Sequence, residues 1–264
     1  GLSSSVEFQL ESGNYDAMYF MGAIPGSGSG KTITISSISG NPASVVIRNA
    51  SGGVALTLSN AKYLKFKNVT IGTTDNTTTY GVQFIGLCEE IDFYGCNIYS
   101  SITTTSSNYA AVFFTGSGDN YNTLRDVSFI KNNISGGYYN MYFYYSGSGT
   151  ATMGLSSITI DSNTLTDAYT YGIYSYYYGN YPSISQNSIT SRLNTPSSYY
   201  GIYTYYYHNI LALVGNRIKV TGSSTCYGMY LYYYHNYSTA YGSKGPGLLS
   251  NNEVIVLGGS TTAY

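Results

Sequence analysis

The side chains that carry most enzymatic chemistry are sparse and scattered in this sequence. Of 264 residues, 12 are Asp or Glu, 11 are Lys or Arg, 2 are His and 3 are Cys. Glycoside hydrolysis needs a close pair of carboxylates, yet residues 138–264 hold only Asp161, Asp167 and Glu253. Glu89, Glu90 and Asp92 cluster, with Arg125 further on, and read as a surface charge cluster. Arg217 and Lys219 share one face two residues apart; they could grip an anionic sugar, but a solvated basic pair is the preferred reading. His208 and His235 each follow a Tyr and precede an Asn, so they could share a metal, but no third ligand is visible. Gly26 to Thr32 imitates a phosphate loop and fails as one, because Pro25 stands where the first Gly is required and the segment after it alternates like a strand. Cys88, Cys96 and Cys226 lack metal spacing and read as buried thiols, with a local Cys88–Cys96 disulfide as the less favoured alternative. No nucleophile–base triad can be assembled. Neither a catalytic residue, nor a metal ligand, nor a cofactor is therefore expected.

Tyrosine is what the chain has in abundance: 34 residues, 26 of them from residue 138 onward. The densest runs are Asn140-Met-Tyr-Phe-Tyr-Tyr145, Gly172-Ile-Tyr-Ser-Tyr-Tyr-Tyr178, Gly201-Ile-Tyr-Thr-Tyr-Tyr-Tyr207 and Gly228-Met-Tyr-Leu-Tyr-Tyr-Tyr234. Strand side chains alternate between faces. If Met141, Ile173, Ile202 and Met229 point inward, so do Phe143, Ser175, Thr204 and Leu231. The outward set is then Tyr142, Tyr174, Tyr203 and Tyr230 in one column and Tyr144, Tyr176, Tyr205 and Tyr232 in a second. Tyr178, Tyr207 and Tyr234 form a third, where the strand begins to turn. Stacked strands would hold these rings about 4.8 Å apart within a column, as a flat aromatic platform rimmed by hydroxyls. Such a surface either stiffens the sheet through ring pairs or binds something, since large apolar patches seldom stay exposed without a partner.

The elements that position these rings are repeats. Apolar residues five apart, usually with Asn between, recur as Phe66…Asn68…Ile71, Phe93…Asn97-Ile98, Phe129…Asn132-Asn133-Ile134, Ile160…Asn163…Leu165, Ile184…Asn187…Ile189, Leu213…Asn216…Ile218 and Leu249…Asn252…Val254. Between them falls a second landmark, of which Tyr80-Gly81-Val82, Tyr171-Gly172-Ile173 and Tyr200-Gly201-Ile202 are typical. Short alternating β-branched or aromatic segments, Gly and Asn punctuation and no helix signal predict a parallel β-helix. We expect an all-β, right-handed parallel β-helix (solenoid) of about eight coils, with 1–264 forming one such domain. The Asn column would sit at one equivalent turn, where Asn tolerates left-handed backbone and its amide can bond to the next coil. No acidic column builds beside that turn: the residues equivalent to Asp161 are Ser185 and Val214 in the next two coils.

This pattern resembles the right-handed parallel β-helix repeats of the pectin-lyase-like superfamily. More narrowly, it is similar to secreted β-helix repeat proteins of Bacteroidetes-type bacteria, through Leu10-Glu-Ser-Gly13-Asn-Tyr15, Ala23-Ile-Pro25-Gly26 with Ile33-Thr-Ile35, Tyr63 to Ile71 and the Tyr-Gly-Ile-Tyr segments. The resemblance implies a secreted or cell-surface protein exported by the type IX system, with other modules in the parent chain. It also implies, as an alternative function, a polysaccharide lyase or glycoside hydrolase. The superfamily's lyases use clustered Asp for calcium and a basic residue for proton abstraction, and that constellation is not found here. A net charge of −1 gives no basic stripe for nucleic acid. No run approaches 18 apolar residues, so no membrane-spanning helix is expected. The leading Gly and abrupt end read as a piece cut from a longer secreted protein. N-x-S/T sequons at Asn49, Asn68, Asn76, Asn133 and Asn236 are expected by chance in so Asn/Thr-rich a chain. The function expected is adhesion or carbohydrate binding, to a polysaccharide or surface glycan, through the tyrosine face; binding to ice is a remoter alternative.

Overall fold

The structure, a computed structural model, describes residues 2–16, 19–117, 122–146, 154–177, 179–193, 198–221, 225–234, 247–257 and 262–263, with backbone alone at 19–20, 207, 233–234 and 262–263. It is an all-β parallel solenoid of about seven turns, close to the eight expected. The one helical piece among the described residues is a 3-10 turn at Pro42–Ser44, with Asn41 as its N-cap. Each full turn passes through three faces. The tyrosine face carries Thr78–Ile85, Ala110–Ser117, Tyr139–Ser146, Tyr171–Tyr176, Ser198–Ile210 and Thr225–Tyr234. A side face carries Lys62–Lys67, Leu87–Tyr94, Thr123–Ile130, Leu155–Asp161, Ser183–Ser185, Ala212–Val214 and Leu248–Ser250. The back face is a separate nine-stranded sheet running from Gly13–Asp16 to Glu253–Leu257. Ser198–Ile210 rounds the corner between the first two faces, pairing with Tyr171–Tyr176 and then with Gly179–Tyr181.

Stacking in register turns each sequence landmark into a column. Met141, Ile173, Ile202 and Met229 are successive Cα partners, as the alternation requires. Phe143, Ser175, Thr204 and Leu231 stack beside them. Ile98, Ile134, Leu165, Ile189 and Ile218 line the back face and are fully buried. On the side face the rings of Phe66, Phe93 and Phe129 stack at 5.0 and 5.1 Å. Each buried apolar side chain stabilises the stack by about 1.5–3 kcal/mol, and none finds that burial within its own turn.

The asparagine ladder lies at the corner between the side and back faces. Asn163 Nδ2 donates to Asn187 Oδ1 (3.0 Å) and to Phe129 O (2.9 Å). Asn187 Nδ2 donates to Asn216 Oδ1 (3.0 Å) and Ile160 O (3.0 Å), and Asn216 Nδ2 to Asn252 Oδ1 (2.9 Å) and Ile184 O (2.8 Å). Each Oδ1 also accepts the backbone N–H of the preceding ladder residue. One amide thus makes four hydrogen bonds, two of them to backbone groups that a tight turn would otherwise leave without partners. The left-handed backbone expected of these Asn residues belongs to the residue before each: Lys131, Ser162, Gln186, Gly215 and Asn251, with φ from 54° to 67°. Asn68 (φ 54°) is one of this preceding series, and Cys96, not Asn97, takes the ladder position in its coil, its N–H donating to Asn132 Oδ1. An amide already bonded along the stack does not need the turn; the residue before it reverses the chain. Cys88 and Cys96 are separate buried free thiols, so the disulfide alternative does not form. Burial pushes the Cys96 thiol up to about 12.

The Tyr-Gly-Ile landmark has a steric origin. A Cβ on Gly201 would sit 2.5 Å from Ile218 Cγ2 and 2.6 Å from Gly228 O. Gly172 and Gly228 are pinched in the same way, against Ile189 and Val254. Here the tyrosine strand begins directly over the back-face column, leaving no room for a methyl group. Gly201→Ala is therefore expected to lower stability by about 1–3 kcal/mol through overpacking, read from the urea midpoint. A second corner is held by Arg192, whose Nε and Nη2 donate to Asp167 O (3.1 and 2.9 Å), Nη1 to Thr104 O (2.7 Å) and Nη2 to Gly137 O (3.4 Å).

Candidate functional site

Register on the tyrosine face sets the aromatic columns. Tyr142, Tyr174, Tyr203 and Tyr230 are successive partners, as are Tyr144, Tyr176, Tyr205 and Tyr232. In the first column the centroids are 5.1, 5.1 and 5.0 Å apart with interplanar angles of 1°, 2° and 8°. Phe113 extends it by one coil at 5.2 Å. In the second column the separations are 5.3, 5.2 and 4.5 Å, all within 11° of parallel. Across the strands the two columns are parallel as well, at 6.1 Å for Tyr174–Tyr176 and 5.9 Å for Tyr203–Tyr205.

Two columns that the alternation does not give complete the pattern. Tyr139, Tyr171, Tyr200 and Tyr227 stack at 5.1, 4.9 and 4.6 Å and stand edge-on to the first column, Tyr200 at 84° to Tyr203. The glycine corner breaks the alternation there and turns these rings outward instead of in with Ile173 and Ile202. On the other flank Tyr177 and Tyr206 adopt left-handed backbone (φ 65° and 63°), stack on one another at 5.2 Å and lie at 76° and 81° to Tyr176 and Tyr205. The strand therefore turns one residue before the third expected column. Tyr178 lies outside the described residues, and Tyr207 and Tyr234 are described in backbone alone.

The rings do not lie flat. Coplanar rings at 5.1 Å would force facing carbons to within roughly 2–3 Å, inside the ~3.5–4.0 Å at which carbon atoms meet. Parallel rings at this spacing must slip obliquely over one another, so ring faces cover ring faces. The expected flat platform is instead a row of inclined plates showing edges and hydroxyls to solvent. The hydroxyls of Tyr142, Tyr174 and Tyr203 make no hydrogen bond within the protein and are not among its buried unpaired polar atoms, so they reach water. Burial, then the neighbouring phenols, pushes Tyr142 up to about 12, and raises Tyr139, Tyr171, Tyr174 and Tyr203 further. A hydrogen bond with Tyr206, then burial, raises Tyr205. The four tyrosine strands from Tyr139 to Tyr234 contain no Asp, Glu, Lys or Arg. The face is thus a lattice of phenols with no charged side chain among them.

The charged clusters are inter-coil ties. Glu89 bridges Lys62 Nζ (2.9 Å) and Arg125 Nη1 (3.7 Å), and Asp92 meets Lys65 Nζ (3.2 Å) while accepting from Ser128 Oγ (2.6 Å). Burial, then Asp126, raises the Glu90 carboxyl. Arg217 and Lys219 stand exposed on one face, as expected of a solvated basic pair, and Arg217 also pairs with Glu253 on the next coil (2.8 Å). His208 points inward, 2% exposed, and its Nε2 lies 2.7 Å from Ser175 Oγ, which is itself 2.7 Å from Tyr181 OH. Gly179 makes room for this ring, since a Cβ there would stand 2.9 Å from His208 Cδ2. On its other side His208 is paired with Tyr234 after a register shift, so the proposed equivalence with His235, outside the described residues, does not hold. Among the described residues no three His, Cys, Asp or Glu converge as a metal site, and no helix is long and apolar enough to cross a membrane.

Of the resemblance drawn from the repeats, the parallel β-solenoid is the part that the structure bears out. No protein-family model matches the chain, and neither the curated proteins nor the solved structures contain a significant match to it.

Proposed function

We propose that the tyrosine lattice is a binding face for a neutral, extended polysaccharide, and that the solenoid serves in adhesion at a cell surface or in the secreted milieu. The observation that carries this reading is the constant spacing of parallel, uncharged rings, 5.0 to 5.1 Å along the Tyr142–Tyr230 column, with hydroxyls open to water. A ligand matched to it needs a short regular repeat, no charge, and both apolar C–H groups and hydroxyls. A polysaccharide has all four. Ring edges contact its C–H groups while phenol hydroxyls exchange hydrogen bonds with its own. Binding per site is weak, and linked copies of the face raise it through effective concentration.

The test removes hydroxyls and keeps rings. In a Tyr142→Phe, Tyr174→Phe, Tyr203→Phe variant each lost hydrogen bond costs about 0.5–1.5 kcal/mol, so affinity on a glycan array falls roughly tenfold or more. The melting temperature should stay near that of the parent, because the stacking is retained. Unchanged glycan signal in the variant, or none in the parent, would refute the binding reading and leave the rings as stiffeners of the sheet.

A further inference from the structure

We propose that the lattice is a site of oxidative tyrosine coupling, at which Tyr205 and Tyr232 on adjacent coils become a dityrosine that covalently staples the solenoid. These rings are 4.5 Å apart and 11° from parallel, the shortest separation in their column. At this separation two near-parallel rings are in van der Waals contact. Among the described rings of the lattice Tyr232 is also the most exposed, at 38%, so an oxidant reaches the pair there. The other neighbours of Tyr205 are also phenols, edge-on at 4.3 Å (Tyr206) and parallel at 5.2 Å (Tyr176) and 5.9 Å (Tyr203), so a radical formed elsewhere on the lattice can pass ring by ring to the pair.

The chemistry needs a two-electron oxidant, and hydrogen peroxide acting through a haem peroxidase supplies it. Each phenol gives up one electron and its hydroxyl proton. The two ring-centred radicals join through a new bond between ortho carbons, and each of those carbons then passes its hydrogen to the phenol oxygen, restoring both aromatic rings. The peroxide takes up the two electrons and two protons and leaves as two waters. The product keeps both hydroxyls and has two hydrogens fewer than the pair.

Tyr94 provides an internal comparison. It is equally open, at 41%, but its partners on the adjacent coils are Lys67 and Ile130, so no second phenol lies within its own chain's reach on those strands. The experiment treats the folded chain, at a dilution that keeps it monomeric, with haem peroxidase and hydrogen peroxide. Dityrosine fluorescence is followed, and cross-linked peptides are mapped by mass spectrometry. The expected result is an intrachain cross-link joining the peptides of Tyr205 and Tyr232 in monomeric protein, lost when the chain is first unfolded in urea. Tyr232→Phe, which keeps the stacked ring, should lose most of that product. Two outcomes would overturn the proposal: coupling that occurs chiefly between chains through Tyr94, or an intrachain yield the same in folded and unfolded protein.

Discussion

Replacing Asn187 by alanine should destabilise the solenoid by about 2–5 kcal/mol. Its Oδ1 accepts both the backbone N–H and the Nδ2 of Asn163, each at 3.0 Å, and Asn163 is 1% exposed. Alanine leaves the Asn163 N–H and one of the two Nδ2 hydrogens buried without an acceptor, at about 1–3 kcal/mol apiece, and strips Ile160 O and Asn216 Oδ1 of a donor. Asn187→Asp restores the acceptor but not the donor, and sets a carboxylate against Asn216 Oδ1, so it should fare no better. Urea unfolding of the two variants checks this; a midpoint like that of the parent in Asn187→Ala would show the ladder to be a by-product of stacking and not a cause of it.

The second large effect is a loss of stability on mild acidification, governed by His208. Burial pulls its folded-state pKa from 6.5 down to about 3. The unfolded chain, with the ring hydrated, therefore binds the proton first. Stability is full above about pH 6.5 and declines as pH falls toward 3, by up to about 1.4 kcal/mol per unit. Asp16 and Asp75 are held low by their bonds to Arg48 and to Thr77 and Thr73, and their contributions fade only as pH drops through the ordinary carboxylate range. Between about pH 6.5 and 4.5 the histidine acts against Glu90, whose raised carboxyl takes up its proton first in the folded chain, so a variant is needed to separate the two. His208→Gln should flatten the pH dependence of the unfolding free energy there; an equally steep slope in that variant would place the titrating group elsewhere.

Much of the molecule was legible because a solenoid repeats its sequence as well as its structure. The inward column of Met141, Ile173, Ile202 and Met229 follows from alternation alone, and so do the two central tyrosine columns. What alternation could not show were its interruptions. Gly172, Gly201 and Gly228 look like flexible punctuation, but their role is steric, and the bend they permit brings Tyr171, Tyr200 and Tyr227 to the surface. Tyr177 and Tyr206 sit in left-handed backbone that bulky residues seldom adopt, so nothing in a run of three tyrosines marks where the strand turns. The inclination of the rings was hidden too, because it depends on coil spacing set against ring thickness, a relation between neighbours and not a property of one strand. The burial of His208 against Ser175 was hidden as well, because it depends on the space that Gly179 leaves on the neighbouring coil.

Arg192 has a mechanical consequence. A stack of coils behaves as a one-dimensional chain in which each link knows only its neighbours. The guanidinium departs from that rule by gripping the carbonyls of Thr104, Gly137 and Asp167, which belong to three successive passes of the backbone before its own. Four passes held by one cation form a block and cannot peel away singly. Under load, the solenoid would unzip in unequal steps, with coils elsewhere yielding singly and this stretch as one piece.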